Sequence, residues 1–263
     1  MNELNVIGLL VASSLAIPTW ALSLKLRDAS LADRIWSALV AAPVLVGARV
    51  SGVALDLRGA LMLGLLLLWA LRLAAYIGMR NWGAGEDRRY RAMRARHEPH
   101  FGIKSLYLVF GLQALLAWIV GWPMLAVLQH PAPFTWLDLV GLVLGSGGLT
   151  IEAVADAQLA RFLRERRDAG AVMSRGLWSW SRHPNYFGEA CIWWGFGLTA
   201  LGAGGLSLAW TLVSPLMMTA LLLKVSGVAL LERDIAERRP GYRAYAARTS
   251  AFIPWPPRHE ARS

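Results

Sequence analysis

The sequence predicts an all-α integral membrane protein, a bundle of seven transmembrane helices with the N-terminus outside and the C-terminus in the cytoplasm. Three observations carry that expectation. The 263 residues are 56% hydrophobic and only 17% charged, with 13 Trp, which is too apolar for an ordinary soluble domain. The apolar residues gather into stretches of about 20, the length a helix needs to cross a bilayer core. The basic residues gather between those stretches, as they do in cytoplasmic loops. That clustering also explains the net charge of +10 without a nucleic-acid partner.

The spans follow in order. Residues 4–24 lack the basic leader of a cleavable signal, carry Glu3 instead, and are long enough to span. Residues 35–55 form the weakest span, because Arg49 and the stretch SGVALD interrupt it. Residues 59–79 contain Arg72, residues 105–128 come next, and residues 136–159 contain Glu152 and Asp156. The uncharged run from Ala190 to Leu223 is punctuated by Gly202, Gly204 and Gly205, so it reads as a hairpin of spans 186–203 and 207–231. Residues 25–34, 80–104, 161–182 and 233–263 hold 23 of the 27 Lys and Arg. Seven spans put all four segments on one side, which sets the orientation. With no internal repeat or separate soluble segment, residues 1–263 read as one polytopic domain. The single cysteine, Cys191, excludes a disulfide framework and a multi-cysteine metal site, and its apolar surroundings suit a packing role.

Ionisable side chains inside spans are costly and point to function. In the third span Trp69, Arg72, Tyr76 and Arg80 share one helical face. In the fifth, Glu152 and Asp156 lie one turn apart with Gln158 nearby; they suit either ligand contact or pairing with a buried arginine. No histidine accompanies them, which argues against a metal. The basic turn of Arg161, Arg164, Arg166 and Arg167 suits lipid headgroups or phosphates. The densest polar cluster is WSWSRHPNYFGE, residues 178–189. Pro184 fits a helix N-terminus, whose dipole favours an anion that Arg182, His183 and Asn185 can hold. Asn185, Glu189 and Trp193 then descend one wall of a pocket, one turn apart. The plainer alternative is a capping and charge-pairing cluster that only anchors the helix.

These residues resemble a family. GLWSWSRHPNYFGE at 176–189, E-x-x-x-D-x-Q at 152–158, LW-x-x-RL at 68–73 and RN-x-G-x-GED-x-RY at 80–90 look like the membrane-embedded steroid 5-alpha-reductase-like family, closest to its bacterial branch. The resemblance implies a seven-helix enzyme that holds NADPH in its cytoplasmic half, roughly residues 136–263. It reduces the activated C=C bond of a lipophilic enone, with the Δ4 bond of a 3-oxo-steroid as the expected substrate. On the same resemblance Asp156, Asn185 and Glu189 are expected nicotinamide and ribose contacts, Arg72 and Arg164 phosphate contacts, and Trp193 a neighbour of the cofactor. Tyr186 belongs to the same motif, and Glu152 stands where animal members have asparagine. Arg182 and His183 are placed at the cofactor's mouth on their chemistry alone.

The catalytic side departs from the family. Animal members place a glutamate in the second span and a tyrosine in the third against the substrate carbonyl. Here IWSALVAAPVLVGA, residues 35–48, has no carboxylate, and Trp69 occupies the tyrosine's place. Tyr76 is the nearest phenol and Asp33 the nearest acid, so Tyr76, Trp69 and Asp33 are the catalytic candidates. An S-adenosylmethionine-dependent membrane methyltransferase of the isoprenylcysteine carboxyl type is the alternative, since it shares the Arg-His-Pro pattern. A lipid-binding or transport protein is the non-enzymatic one. Expected partners are a steroid-like substrate arriving from the bilayer and membrane lipids, with a monomeric chain in a bacterial inner membrane.

Overall fold

The computed structural model describes residues 3–81, 83, 85–166, 168, 170–225, 228, 232 and 235–257. Among them the chain is helical and contains no strand, only an isolated bridge between Ser181 and Ser250. The helices are α1 (Glu3–Leu26), α2 (Leu31–Arg34), α3 (Trp36–Val50), α4 (Leu57–Arg80), α5 (Arg88–His97), α6 (Phe101–Val120, with a π-helical turn at Leu106–Gly111), α7 (Trp122–Val127), α8 (Trp136–Glu165), α9 (Pro184–Gly204), α10 (Val213–Ala220), α11 (Ile235–Arg238) and α12 (Tyr242–Arg248).

Among the described residues, five helical stretches are long and apolar enough to cross a membrane: Glu3–Leu26, Leu57–Arg80, Phe101–Val120, Trp136–Glu165 and Pro184–Lys224. That is the make-up of a multi-pass membrane protein. The second expected span is shorter than the others. α3 ends at Val50, and the next helix starts at Leu57 because the Asp56 carboxylate caps it, accepting from the Gly59 amide at 2.7 Å. The two C-terminal spans appear as one helical run whose course changes at Gly205. This glycine has φ of +57° and opens a 3₁₀ segment at Gly205–Leu212. α8 outlasts its apolar stretch, because Arg161 and Glu165 pair one turn apart and continue the helix on polar residues.

The chain forms two compact units, residues 1–138 with 199–214, and residues 139–198 with 215–263. In the first unit α1 packs on α3 and α6, and α3 on α4. Tryptophan indoles tie these helices together: Trp20 donates to the Gly102 carbonyl at 2.9 Å and Trp118 to the Asn5 carbonyl at 2.8 Å. Trp118, Trp122 and Trp210 meet edge to face. In the second unit α8 and α9 approach at backbone distance through glycines. A β-carbon built on Gly188 would lie 2.5 Å from the Gly148 carbonyl oxygen, and one on Gly195 would lie 2.5 Å from that of Gly141.

One charge pair lies just before the expected third span. Arg58 is 1% exposed at the start of α4. Its guanidinium grips Asp138 through Nε at 2.6 Å and Nη2 at 2.7 Å. It also donates to the carbonyls of Ala132, Pro133 and Gly202. Asp138 in turn accepts from the backbone N–H and hydroxyl of Thr135. Arg58 therefore fixes the 129–135 connection.

Candidate functional site

In the second unit α8 and α9 bring together most of the polar residues singled out in the sequence. Glu152 and Asp156 on α8, and Glu189 on α9, are buried carboxylates, 4%, 4% and 7% exposed. Asn185, in the first turn of α9, donates its amide N–H to Asp156 Oδ1 at 3.1 Å, and its oxygen accepts from the Tyr186 backbone N–H at 3.0 Å. One turn deeper the Trp193 indole N–H donates to Glu189 Oε1 at 2.8 Å. Asn185, Glu189 and Trp193 follow one another at one-turn intervals along α9, and Asp156 is hydrogen-bonded to the first of them. Trp193 is fully buried and tilts against Phe196. Arg164 lies beyond them, exposed near the end of α8 with Arg161 and Arg166.

Arg182 and His183 have another occupation. Both reach Glu232, Arg182 Nε at 3.0 Å and His183 Nε2 at 2.9 Å from Oε1. Tyr242 hydrogen-bonds to the same carboxylate, and the Tyr186 ring stacks on His183 with centroids 5.5 Å apart. The C-terminal segment also grips the backbone before α9. Arg182 N–H donates to the Ser250 carbonyl, the Ser181 hydroxyl to that of Phe252, the Trp255 N–H to that of Trp180, and the Tyr245 hydroxyl to that of Trp178. Gln158 is likewise engaged: its Oε1 accepts from the Leu177 N–H at 3.0 Å. Gly176 beside it has φ of +59°, and a β-carbon there would lie 2.6 Å from the Gln158 amide. These contacts set where α9 begins. Glu232, Tyr242 and Tyr245 were not singled out as site residues from the sequence; the partners of Glu232 and Tyr245 before α9 are 49 and 67 residues away in the chain.

Glu232 has a pKa below the ordinary glutamate value. Burial pushes it up, but hydrogen bonds from His183 and Tyr242 and the Arg182 charge outweigh burial. Burial and Glu232 push the Tyr242 phenol up. A carboxylate whose folded pKa is depressed stabilises the fold fully above its unfolded pKa of about 4.3, and that stabilisation is lost as pH falls through the folded pKa. The Tm of the wild type, followed from about pH 6 to about pH 3, should fall more steeply than that of Glu232→Gln. Parallel curves would remove Glu232 from this role.

The remaining candidates lie in the first unit. Trp69 on α4 is 0% exposed, and Arg72 and Tyr76 on the same helix are half-buried. The Arg80 guanidinium sits over the Tyr76 ring, 5.8 Å from its centroid. Asp33 is held in a network: its Oδ2 accepts from Arg89 at 2.7 Å, and its Oδ1 from the Tyr90 hydroxyl at 2.6 Å and the Gln113 amide at 3.1 Å. Burial, then Asp33, pushes the Tyr90 phenol far up, so it stays protonated. Tyr90 closes the motif at 80–90 but was given no role from the sequence, and Gln113 was not picked out; a lone amide in an apolar span was the signal available. Among the described residues no group of three or more His, Cys, Asp or Glu is placed to hold a metal ion.

Residues 19–249 match the family described as "Protein of unknown function (DUF1295)". The chain belongs to that family. The matched stretch contains every candidate residue above. An uncharacterised protein of Schizosaccharomyces pombe, C594.04c, is 27% identical over 281 residues, covering 95% of this chain and 79% of its own length. Steroid 5-alpha-reductase DET2 of Arabidopsis thaliana is 35% identical over 74 residues, which is 28% of each chain. No solved structure matches.

Proposed function

We propose that this DUF1295 member is an NADPH-dependent reductase of the activated C=C bond of a lipophilic enone, with a 3-oxo-Δ4 steroid as the substrate class. The observation that carries the proposal is the α8–α9 cluster of Asp156, Asn185, Glu189 and Trp193. The 74-residue likeness to a protein named steroid 5-alpha-reductase supports it.

The donor set fits the cofactor. A dinucleotide presents ribose hydroxyls and a carboxamide, which ask for carboxylate and amide partners, and phosphates, which ask for arginines. Buried Asp156 and Glu189 with Asn185 supply the first set, and Arg164 at the exposed end of α8 supplies the second. Arg72 is a further phosphate candidate from α4. When bound, NADPH supplies the hydride. Asp156 and Asn185 orient each other through their hydrogen bond, and the Trp193 N–H holds the Glu189 carboxylate in one rotamer. Arg182 and His183 act as positioning residues that fix the first turn of α9 through Glu232.

Reduction of an enone also needs a proton donor at the carbonyl oxygen or the adjacent carbon. Tyr76 Oη is the proposed holder of that proton. Trp69 is fully buried and shapes the helix face, while Asp33 is engaged by Arg89, Tyr90 and Gln113. The proposed setting is a seven-span bundle with a cytoplasmic C-terminus in a bacterial inner membrane, acting as a monomer.

Detergent-purified protein given NADPH and androst-4-ene-3,17-dione should oxidise NADPH in step with loss of the Δ4-3-ketone. Asp156→Asn and Glu189→Gln should each weaken NADPH binding by about 10- to 100-fold, the equivalent of one or two hydrogen bonds to a charged group. Full affinity in both variants would dismiss the α8–α9 cluster as the cofactor site.

A further inference from the structure

We propose that the outward face of α5 is a docking surface for anionic phospholipid headgroups. α5 lies in the connection between two stretches long and apolar enough to cross a membrane, Leu57–Arg80 and Phe101–Val120. Successive spans leave and re-enter the bilayer on the same side, so this connection lies at headgroup level. Its arginines divide into two sets. Arg94 is held by Glu86 at 2.7 Å and lies over the Phe101 ring, and Arg89 is held by Asp33 and Asp87. Those two build the connection. Arg91, Ala92, Ala95 and Arg96 are all exposed and stand at i, i+1, i+4 and i+5, on one helical face. Those four positions carry two guanidinium groups and no acid.

The acids of the segment are spoken for on the other side: Glu86 and Asp87 by Arg94 and Arg89, and Glu98 lies 3.9 Å from Arg94. The flanking side chains are exposed and apolar, Met79 at 74%, Ile103 at 70% and Tyr107 at 57%. A basic face in a connection whose two span-length neighbours begin and end on exposed apolar side chains suits both parts of an anionic lipid, its phosphate and its acyl chains. Arginine's planar fork matches a phosphate better than a point charge does. Each basic residue at such a surface adds about fivefold to the preference for anionic lipid.

The full-length protein would be reconstituted into nanodiscs of phosphatidylcholine with a minor fraction of phosphatidylglycerol. After extraction, the lipids that remain bound would be counted by native mass spectrometry. Wild type should retain phosphatidylglycerol in preference to phosphatidylcholine, and Arg91→Gln with Arg96→Gln should reduce that preference by roughly an order of magnitude. Arg243→Gln with Arg248→Gln removes the same charge from exposed positions on α12 and should leave it intact. Both doubles change only exposed side chains, and gel filtration is the check that they fold. Equal preference in the α5 double and the wild type overturns the proposal, as does equal loss in the two doubles. Displacement of the retained lipid by inorganic phosphate would also overturn it, because the face would then be a site for free phosphate.

Discussion

Asp138→Ala should destabilise the protein by about 3–5 kcal/mol, because it leaves the Arg58 guanidinium buried with no counter-charge. The pair is 1% and 0% exposed, so solvent does not soften the loss. Two short charge-assisted bonds vanish at once, and Thr135 loses the acceptor for its N–H and hydroxyl. For a chain of this size the expected fall in Tm is on the order of 10 °C. Arg58→Met with Asp138→Leu removes both charges and should recover part of the loss. Recovery stays incomplete, since the carbonyls of Ala132, Pro133 and Gly202 lose their donor. An Asp138→Ala protein that melts within about 2 °C of the wild type would contradict the clamp.

The second large effect is expected at Gly188. An added β-carbon would meet the Gly148 carbonyl oxygen at 2.5 Å, the Glu152 N at 2.8 Å and the Glu152 Cβ at 3.0 Å. The first two are backbone atoms and cannot swing aside, so α8 and α9 must separate. Overpacking of this kind costs about 1–3 kcal/mol. It also acts next to the candidate site, because Gly188 precedes Glu189 and two of the three obstructed atoms belong to Glu152. Gly188→Ala should therefore lower both Tm and NADPH affinity. Gly64→Ala is the control: it is also a helical glycine, and a β-carbon there meets nothing within 4 Å. It should be neutral or slightly stabilising. Equal behaviour of the two variants would show that the helices are not in backbone contact.

The helical architecture was legible because apolar length and charge segregation are properties of contiguous sequence. Glu152, Asp156, Asn185, Glu189 and Trp193 were legible for a similar reason, since each is set off by its helical spacing from the others. Residues whose role depends on distant parts of the chain were not. Arg58 was not singled out, and only the approach of residue 138, 80 positions on, makes it a buried clamp. Arg182 and His183 looked like anion ligands at a helix start, and Glu232, about 50 positions on, draws them to itself. α5 looked like part of a basic loop, because its low hydropathy hides a helix that Asp87 caps by accepting from the Arg89 N–H. Asp33 was found by elimination, whereas Tyr90 and Gln113, which define its surroundings, come from two other segments.

The most direct test of the central claim is a thermal-shift titration of the detergent-purified protein with NADPH, NADH and S-adenosylmethionine, run on wild type and Glu189→Gln. A ligand that binds the folded state adds about 2.7 kcal/mol of apparent stability at a hundredfold excess over its Kd. The account predicts a shift of the wild type with NADPH and none with S-adenosylmethionine, and a curve for Glu189→Gln displaced to higher NADPH concentration. A shift with S-adenosylmethionine and none with NADPH would contradict it and assign the α8–α9 cluster to methyl transfer.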